Sequence, residues 1–271
     1  MGESPKGLDE TYEHTLRVIH EKEREYAHRI FQCLTVSSRP LRIEEVAEIF
    51  TFEVDAESGV ILKFNADWRP KDAEEAVLFA CSSLVVVVKG DWERTVQFSH
   101  TSVQQFLTSD RVANSKEISN FHVLLESAHT FLARACLSLL LDDSDHTSSV
   151  HKSPLHSYAV KHWVDHARFG RVSSIIYREM IRLFDKSRPH YFAWIRAYDM
   201  EGLRNLPMPL GYPVPVYYAA LCGFCDLADE LLFTHPQDIN ARGGLRVTPL
   251  HAALDNGHID VARLLLPRWM F

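Results

Sequence analysis

The feature that most constrains this chain is a self-similarity with a period of 34 residues near its C-terminal end. Pro215 and Pro249 are separated by that period, and so are Gly223 and Gly257. The two copies also share alanines and leucines at matching places, namely Ala219 and Ala253, and Leu231 and Leu265. A period of this length indicates stacked repeats, in which neighbouring units bury a core that neither could bury alone. The pattern therefore predicts a solenoid of helical hairpins.

The second copy indicates the type of repeat. Its residues 248–253 read Thr-Pro-Leu-His-Ala-Ala, which matches the ankyrin signature T-P-L-H-x-A. Proline suits the first turn of a helix, and glycine suits the left-handed residue that ends one. We therefore expect about two ankyrin repeats over residues 211–271, without a capping repeat. That is fewer than the roughly three repeats that usually make such a stack stable.

The N-terminal segment alternates between helical and strand patterns. A β-branched run at 84–88 and a second strand ending at Phe98 predict a β-hairpin over 84–98. Asp9 and Asp72 are predicted N-caps, and 53–71 is predicted to be irregular. The other predicted elements are helices over 8–34, 44–50, 72–80 and 101–107 and a very short strand over 41–43. This order is typical of a winged-helix domain, here over residues 8–110.

Between these two regions the pattern is almost wholly helical and apolar. Residues 115–205 are predicted to form a helical linker domain whose large core residues are Trp163, Phe169, Phe184, Phe192 and Trp194. Its expected helices cover 121–141, 154–168, 171–184 and 189–198. Four prolines between 207 and 215 predict a loop before the repeats. The predicted fold class is mostly α, with a winged-helix domain, a helical linker and the start of an ankyrin α-solenoid.

The charge balance and the cysteines limit the partners. A net charge of −7 disfavours phosphate backbones and anionic membranes. The helix before the hairpin carries Asp72, Glu74 and Glu75 and no Lys or Arg up to Ser83, whereas a DNA-reading helix should be basic or neutral. Five widely spaced cysteines, and an N-terminus without signal-peptide character, indicate a reducing, cytoplasmic protein. We therefore predict no nucleic-acid and no membrane partner.

Few residue patterns point to catalysis. His162 and His166 have the i, i+4 spacing of zinc ligands, but Trp163 stands where the H-E-x-x-H motif needs glutamate. Cys222 and Cys225 are a lone pair without the second pair of a zinc ribbon. His100 is predicted to satisfy a buried polar contact at a strand–helix junction. We expect no enzyme activity, no cofactor and no metal.

Five segments resemble, in order, the region that follows the NTPase in fungal NACHT–ankyrin (STAND-type) proteins. They are residues 6–12, 34–48, 96–107, 217–224 and 238–244. The resemblance implies a winged-helix domain followed by the first ankyrin repeats. This chain lacks the G-x-x-x-x-G-K-[ST] loop that binds phosphates, so the nucleotide switch of that family cannot be assigned to any of its residues.

The resulting hypothesis is a non-catalytic, protein-binding signalling adaptor, a fragment of a NACHT–ankyrin-type receptor. Repeat stacks bind proteins along extended surfaces. One alternative is a regulatory part of a STAND ATPase whose NTPase module is missing from this chain, and a NACHT NTPase module would then be its partner. Another is a cryptic zinc-dependent enzyme at the histidine pair. The predicted protein-binding residues are Tyr217, Tyr218, Arg242, Arg246, Asp255 and Asn256.

Overall fold

The computed structural model describes residues 6–55, 61–90, 93–142, 153–198, 214–243 and 248–269. The chain divides into two compact units, residues 1–139 with 143–162 and residues 140–142 with 163–271. The sequence predicts three segments. The helices of the predicted linker are divided between these two units.

The first unit is the winged-helix region together with the helix that follows it. Its helices are α1 (Lys6–Val18), α2 (Arg24–Val36), α3 (Ile43–Ala47), α4 (Ala73–Cys81), α5 (Thr101–Leu107), α6 (Asp110–Ala113) and α7 (Leu125–Leu140). The helix α8 (His156–Ala167) runs across the division between the units. The predicted helix over 101–107 is confirmed at both ends, whereas the one predicted over 121–141 begins only at Leu125.

A three-stranded antiparallel sheet confirms the predicted wing. Its strands β1 (Leu41–Arg42), β4 (Val85–Lys89) and β5 (Arg94–Phe98) lie in the order β1-β5-β4. Val96 is opposite Leu41 on one side and Val87 on the other. Leu41, Val85 and Val96 are buried, so one face of the sheet contributes to the core and the other carries the exposed Val86 and Val88.

Two sequence predictions in this unit are wrong. The segment 53–71 is not irregular throughout, because β2 (Phe52–Val54) and β3 (Ile61–Phe64) form an antiparallel pair in which Phe52 is opposite Phe64. These strands are too short to show clear alternation in the sequence, and the rings of Phe52 and Phe64 lie 5.5 Å apart across the pair. Asp9 lies inside α1 and is not its N-cap. Asp72 is a cap as predicted, since its side chain accepts a 2.9 Å hydrogen bond from the Glu75 amide.

The second unit is helical and has an aromatic core. The Trp163 ring lies 5.3 Å from Trp194 and 5.6 Å from Phe224, and all three residues are buried. Phe169, which we predicted to be a core residue, is 36% exposed. The described helices of this unit after α8 are α9 (Val172–Ile175), α10 (Tyr177–Leu183), α11 (Pro189–Ala197), α12 (Pro215–Cys222), α13 (Cys225–Thr234), α14 (Pro249–Asp255) and α15 (Ile259–Trp269).

The last four helices form the two hairpins that the 34-residue period predicts. α12 and α13 form the first hairpin, and α14 and α15 form the second. Proline stands at the start of α12 and of α14, where its missing amide hydrogen costs no helical bond. The predicted fold class is confirmed: the chain is mostly helical, with a small winged sheet at one end and ankyrin-type hairpins at the other. Most of the proline-rich loop lies outside the described residues.

Candidate protein-interaction surface

A side-chain cap begins the second repeat, whereas α12 of the first repeat follows Val214 and has no side-chain cap. Thr248 caps α14, with its Oγ1 3.4 Å from the His251 amide and 2.7 Å from the His251 Nδ1. The threonine and histidine of the ankyrin signature therefore bond to each other. The His251 ring thereby helps to fix the start of α14.

In each hairpin, one glycine turns the chain between the two helices. Gly223 has φ of +79° and Gly257 has φ of +72°, the left-handed region in which a Cβ is strained. The Nε2 of His258 donates a 3.0 Å hydrogen bond to the Leu221 carbonyl oxygen. A Cβ on Gly223 would lie 2.7 Å from the His258 ring, so the glycine also makes room for the histidine of the next repeat.

The two tyrosines predicted to bind a partner are core residues. Tyr217 is 0% exposed and Tyr218 is 4% exposed. The Tyr218 ring lies about 6 Å from both Tyr191 and Trp194. Our assignment of these two side chains to the binding surface is therefore corrected, because a buried ring cannot contact a partner without opening the core. Sequence alone could not separate the cases, since tyrosine is common both in cores and on interfaces.

The polar residues predicted for the surface remain candidates where they are described. Arg242, Asp255 and Asn256 are exposed, and Arg246 lies outside the described residues. Asn256 follows α14 and donates a 2.9 Å bond from Nδ2 to the Ala252 carbonyl. Arg242 and the C-terminal end of α14 thus expose charged and amide groups, an arrangement that suits polar contacts with a protein.

The histidine pair does not form a metal centre with other described residues. His166 is 0% exposed, and the His162 ring lies 4.7 Å from the Tyr158 ring. Across the described ranges, no group of three or more His, Cys, Asp or Glu side chains has the geometry for a metal ion. His151 is outside those ranges.

Burial makes the described thiols poor nucleophiles. It raises the pKa of Cys222 to about 12 and that of Cys33 and Cys81 further. A thiol must lose its proton to bind a metal or attack a substrate. Cys225, the other member of the C-x-x-C pair, is half-buried, and burial also raises its pKa.

His100 makes a polar contact at the strand–helix junction as predicted, but at the surface. Its Nδ1 caps α5 by accepting a bond from the Ser102 amide at 3.1 Å, and His100 itself is exposed. The Ser102 hydroxyl lies 2.7 Å from that nitrogen and 2.8 Å from the Tyr12 hydroxyl. These three side chains join α1 to the start of α5, which gives the histidine a structural role.

The candidate recognition helix of the winged-helix domain presents acidic and apolar groups. In α4, Glu74 and Glu75 lie in the first turn and Phe79 is 70% exposed. The nearby Arg94 of β5 bonds to Glu44 at 2.8 Å and to Glu74 at 2.9 Å. The carboxylates thus neutralise the charge of Arg94, and this surface lacks the basic character of a DNA-binding surface.

Two wholly buried glutamates were not singled out by the sequence. Glu45 accepts bonds from both terminal nitrogens of Arg39, at 2.8 and 2.6 Å, and from the Arg42 amide at 2.8 Å. Glu48 pairs with Arg69 and accepts a bond from the Ser153 hydroxyl. In the same stretch Glu44 is exposed whereas Glu45 and Glu48 are buried, so only the tertiary structure shows which of these glutamates face inward.

Comparisons with known proteins agree with both regions. Residues 12–123 match the family described as the winged helix domain of GPI inositol-deacylase, and residues 246–268 match the ankyrin repeat family. The chain therefore contains a winged-helix domain of that type and an ankyrin repeat. No solved structure matches the chain.

Two curated proteins resemble the chain to different extents. Azaphilone pigments biosynthesis cluster protein L of Monascus ruber is 27% identical over 286 residues, covering 97% of this chain and 59% of that protein. This chain thus spans about three fifths of the length of that fungal homologue. Alpha-latrocrustotoxin-Lt1a of Latrodectus tredecimguttatus is 41% identical over 54 residues, which are 20% of this chain and 4% of the toxin.

The structure also bears on membrane insertion. In the described ranges, no helix combines the length and the apolar character that crossing a bilayer requires.

Proposed function

We propose that this chain is a non-catalytic protein-binding region, in which a winged-helix domain and a helical segment connect to ankyrin repeats that contact a partner. The observation that carries the proposal is the co-occurrence of the two families in one chain. The 27% identity to a fungal protein extends over nearly the whole chain, which supports an architecture wider than either domain. Ankyrin-type stacks present extended surfaces for proteins.

The residues that could serve catalysis have structural roles, which supports a non-catalytic function. His100 caps a helix, His166 is buried, and burial keeps the Cys33 thiol protonated. All five cysteines are unpaired, as expected of a protein that works in the reducing cytoplasm. We propose that compartment for this chain.

The partner surface we propose contains Arg242, Asp255 and Asn256, together with Arg246 from the segment before α14. Arginine is favoured at protein interfaces because its guanidinium forms several hydrogen bonds at once. This composition suits a partner with exposed carboxylates as well as amide groups.

Capture experiments with the full chain test this surface. The immobilised protein should recover a specific partner from a fungal extract, and the Arg242→Ala/Arg246→Ala variant should lose most of it. Arg263→Ala is the matched control, because that side chain is 77% exposed on α15, outside the proposed surface. Equal recovery by the double variant and the unmodified chain would contradict the surface, and the absence of any specific partner would contradict the function.

A second candidate is a regulatory role towards an NTPase. The order of the winged-helix and ankyrin regions resembles fungal NACHT–ankyrin proteins, so a NACHT-type module is a natural partner. In a test, a purified NACHT module from such a protein would be mixed with this chain. A change in its ATP hydrolysis rate that requires the winged-helix surface at Phe79 and Glu75 would favour this role over simple adaptor binding.

A further inference from the structure

The outer strand of the three-stranded sheet has one unpaired edge. β4 lies at the end of the order β1-β5-β4, so β5 pairs with only one side of it. The Gly90 amide donates to the Glu93 carbonyl oxygen at 2.8 Å, and the Ser99 amide donates to the Leu84 carbonyl oxygen at 2.9 Å. These two bonds close the ends of the hairpin and thereby fix the alternation of bonded and non-bonded residue pairs between them.

The alternation decides which backbone groups of β4 face outward. The N–H and C=O groups of Val86 and Val88 point to β5, whereas those of Val85, Val87 and Lys89 point away from it. Within the described ranges, none of these outward groups forms a backbone hydrogen bond with another element. An unpaired edge of this kind can accept a further strand.

Most side chains on the outer face of this edge are uncharged. Val86 and Val88 are each 41% exposed, and their partners on the same face of β5 are Gln97 and Thr95. Lys89, at the end of the strand, is the single charged residue of β4. A β-branched, almost uncharged strand with a free edge favours pairing with another strand of the same sequence.

We propose that β4 pairs with β4 of a second copy of this chain, antiparallel and centred on Val87, so that the two sheets become one continuous sheet. The Val87 residues of the two copies then exchange N–H and C=O bonds, and Val85 of each copy does so with Lys89 of the other. This register pairs all five residues of the strand. The inference goes beyond the proposed partner surface and does not depend on it.

The side chains favour a second copy as the occupant of this edge. Val86 of one copy lies opposite Val88 of the other in a non-bonded pair, in which the Cα atoms are about 4.5 Å apart. The exposed valines therefore remove one another from water. Each Lys89 lies opposite Val85, so the two ammonium groups are not opposed across the interface.

An unrelated charged peptide has less reason to bind here. The Arg94 side chain of β5 already bonds to Glu44 and Glu74, so its charge is not available to attract a carboxylate-bearing segment. The groups that remain at the edge are backbone amides, backbone carbonyls and valine side chains, and the same strand of another copy matches all of them.

Sedimentation equilibrium of the full chain measures the pairing, at about 1 to 300 μM because a short strand pair buries less surface than a standard interface. The unmodified chain should show a monomer–dimer equilibrium. Val86→Lys/Val88→Lys places like charges opposite each other and should raise the dimer dissociation constant about tenfold or more. Val86→Lys/Val88→Glu places opposite charges at the same positions and should keep that constant within about threefold of the unmodified value.

A matched control adds two lysines elsewhere in the winged-helix region. Leu8→Lys/Val18→Lys changes two apolar residues of α1 that are 38% and 61% exposed. This variant gains the same charge as the double lysine variant of β4, so it should leave the dimer dissociation constant unchanged.

Amide hydrogen exchange of the unmodified chain identifies the edge within the dimer. Raising the concentration from monomer to dimer should slow exchange of the Val87 amide about tenfold or more, because that amide is bonded only in the dimer. The Val86 and Val88 amides, which already bond to β5, should change less. This measurement needs no substitution, so it does not depend on the folding of a variant.

Several outcomes would overturn the pairing. A chain that stays monomeric over the whole range does so, and so does a dimer whose dissociation constant the double lysine variant of β4 leaves unchanged. Equal dissociation of the dimer by both charged variants would contradict the register centred on Val87. None of these measurements involves Arg242 or a captured partner, so their failure and that of the proposed partner surface are distinguishable.

Discussion

The two units of this protein differ in whether they bury carboxylate side chains. In the first, Glu45 and Glu48 are wholly buried; Glu45 pairs with the nearby Arg39 and Arg42, and Glu48 pairs with Arg69. Among the described residues of the second, no carboxylate is buried, and the buried polar side chains are His166, His190 and Thr248. Each unit nevertheless covers a large apolar core.

This contrast follows from how each fold is specified. In a repeat stack, the shape of each hairpin is enough to align it with the next, because neighbouring hairpins have the same form. The winged-helix unit joins unlike segments, and shape alone does not select their pairing. Glu48, for example, bonds to Arg69 and to Ser153, which are 21 and 105 residues away along the chain. Buried ion pairs contribute less to net stability than to the choice of one arrangement, since burial costs both charges their hydration.

The largest expected effect is on the first unit. Glu48→Ala should lower the free energy of unfolding by about 3 kcal/mol, the low end for a broken buried pair, because Arg69 keeps about a third of its side chain exposed. Glu44→Ala is the matched control, since its partner Arg94 is at the surface. Urea unfolding measures both. If both variants lowered the free energy of unfolding equally, burial of the glutamate would not determine how much its ion pair contributes.

The next largest loss of stability is expected in the second unit. Gly223→Ala should destabilise it by about 2–3 kcal/mol, from the left-handed backbone and the displaced His258 bond. Gly257→Ala has the same backbone strain and open space around it, so its cost should be about 1 kcal/mol. Thermal unfolding of the two variants compares them. If both variants lose the same stability, the fit of the His258 ring against Gly223 does not contribute to the stability of the second unit.

A pH titration gives an effect in the first unit that is small at neutral pH and grows in acid. Burial is the main cause that lowers the pKa of His28 to about 4, although its Nε2 bonds to the His122 carbonyl. The unfolded chain takes up this proton near pH 6.5, so the neutral folded form loses stability as the pH falls from about 6.5 to 4. His28→Gln keeps a donor for that carbonyl and should flatten the decline.

The matched control for this titration is His14→Gln, on the exposed side of α1. Urea unfolding at several pH values between 4 and 7.5 gives the slopes. A decline in stability that is as steep in His28→Gln as in the unmodified chain would contradict the assignment to His28.

The smallest effect concerns the exposed ion pairs of Arg94. Arg94→Ala breaks its bonds to Glu44 and Glu74, but solvent and salt already screen these charges. The melting temperature should shift less than in Gly257→Ala, and the shift should shrink further as salt is added. A shift as large as that of Glu48→Ala would show that surface and buried pairs contribute alike.

Much of the architecture could be predicted from the sequence, because its signals are local or periodic. The β-branched run predicts β4, and Asp72 predicts the start of α4; the structure confirms both. The pair of β2 and β3 was missed, since neither strand is long enough to show a pattern by itself. In the candidate site, Arg242 and Asp255 are exposed as the prediction requires, whereas Tyr217 and Tyr218 are not.

The sequence by itself determined the 34-residue period and with it the two hairpins, because each copy repeats the same small residues, turns and caps. Only the tertiary structure decided which equivalent positions are covered: Leu232 is buried and Leu266 is exposed. It alone also separated Glu45 and Glu48, which face the core, from Glu44, which faces solvent. The physical reason is that local sequence sets the helix and its turn, while burial depends on what packs against the helix from elsewhere in the chain.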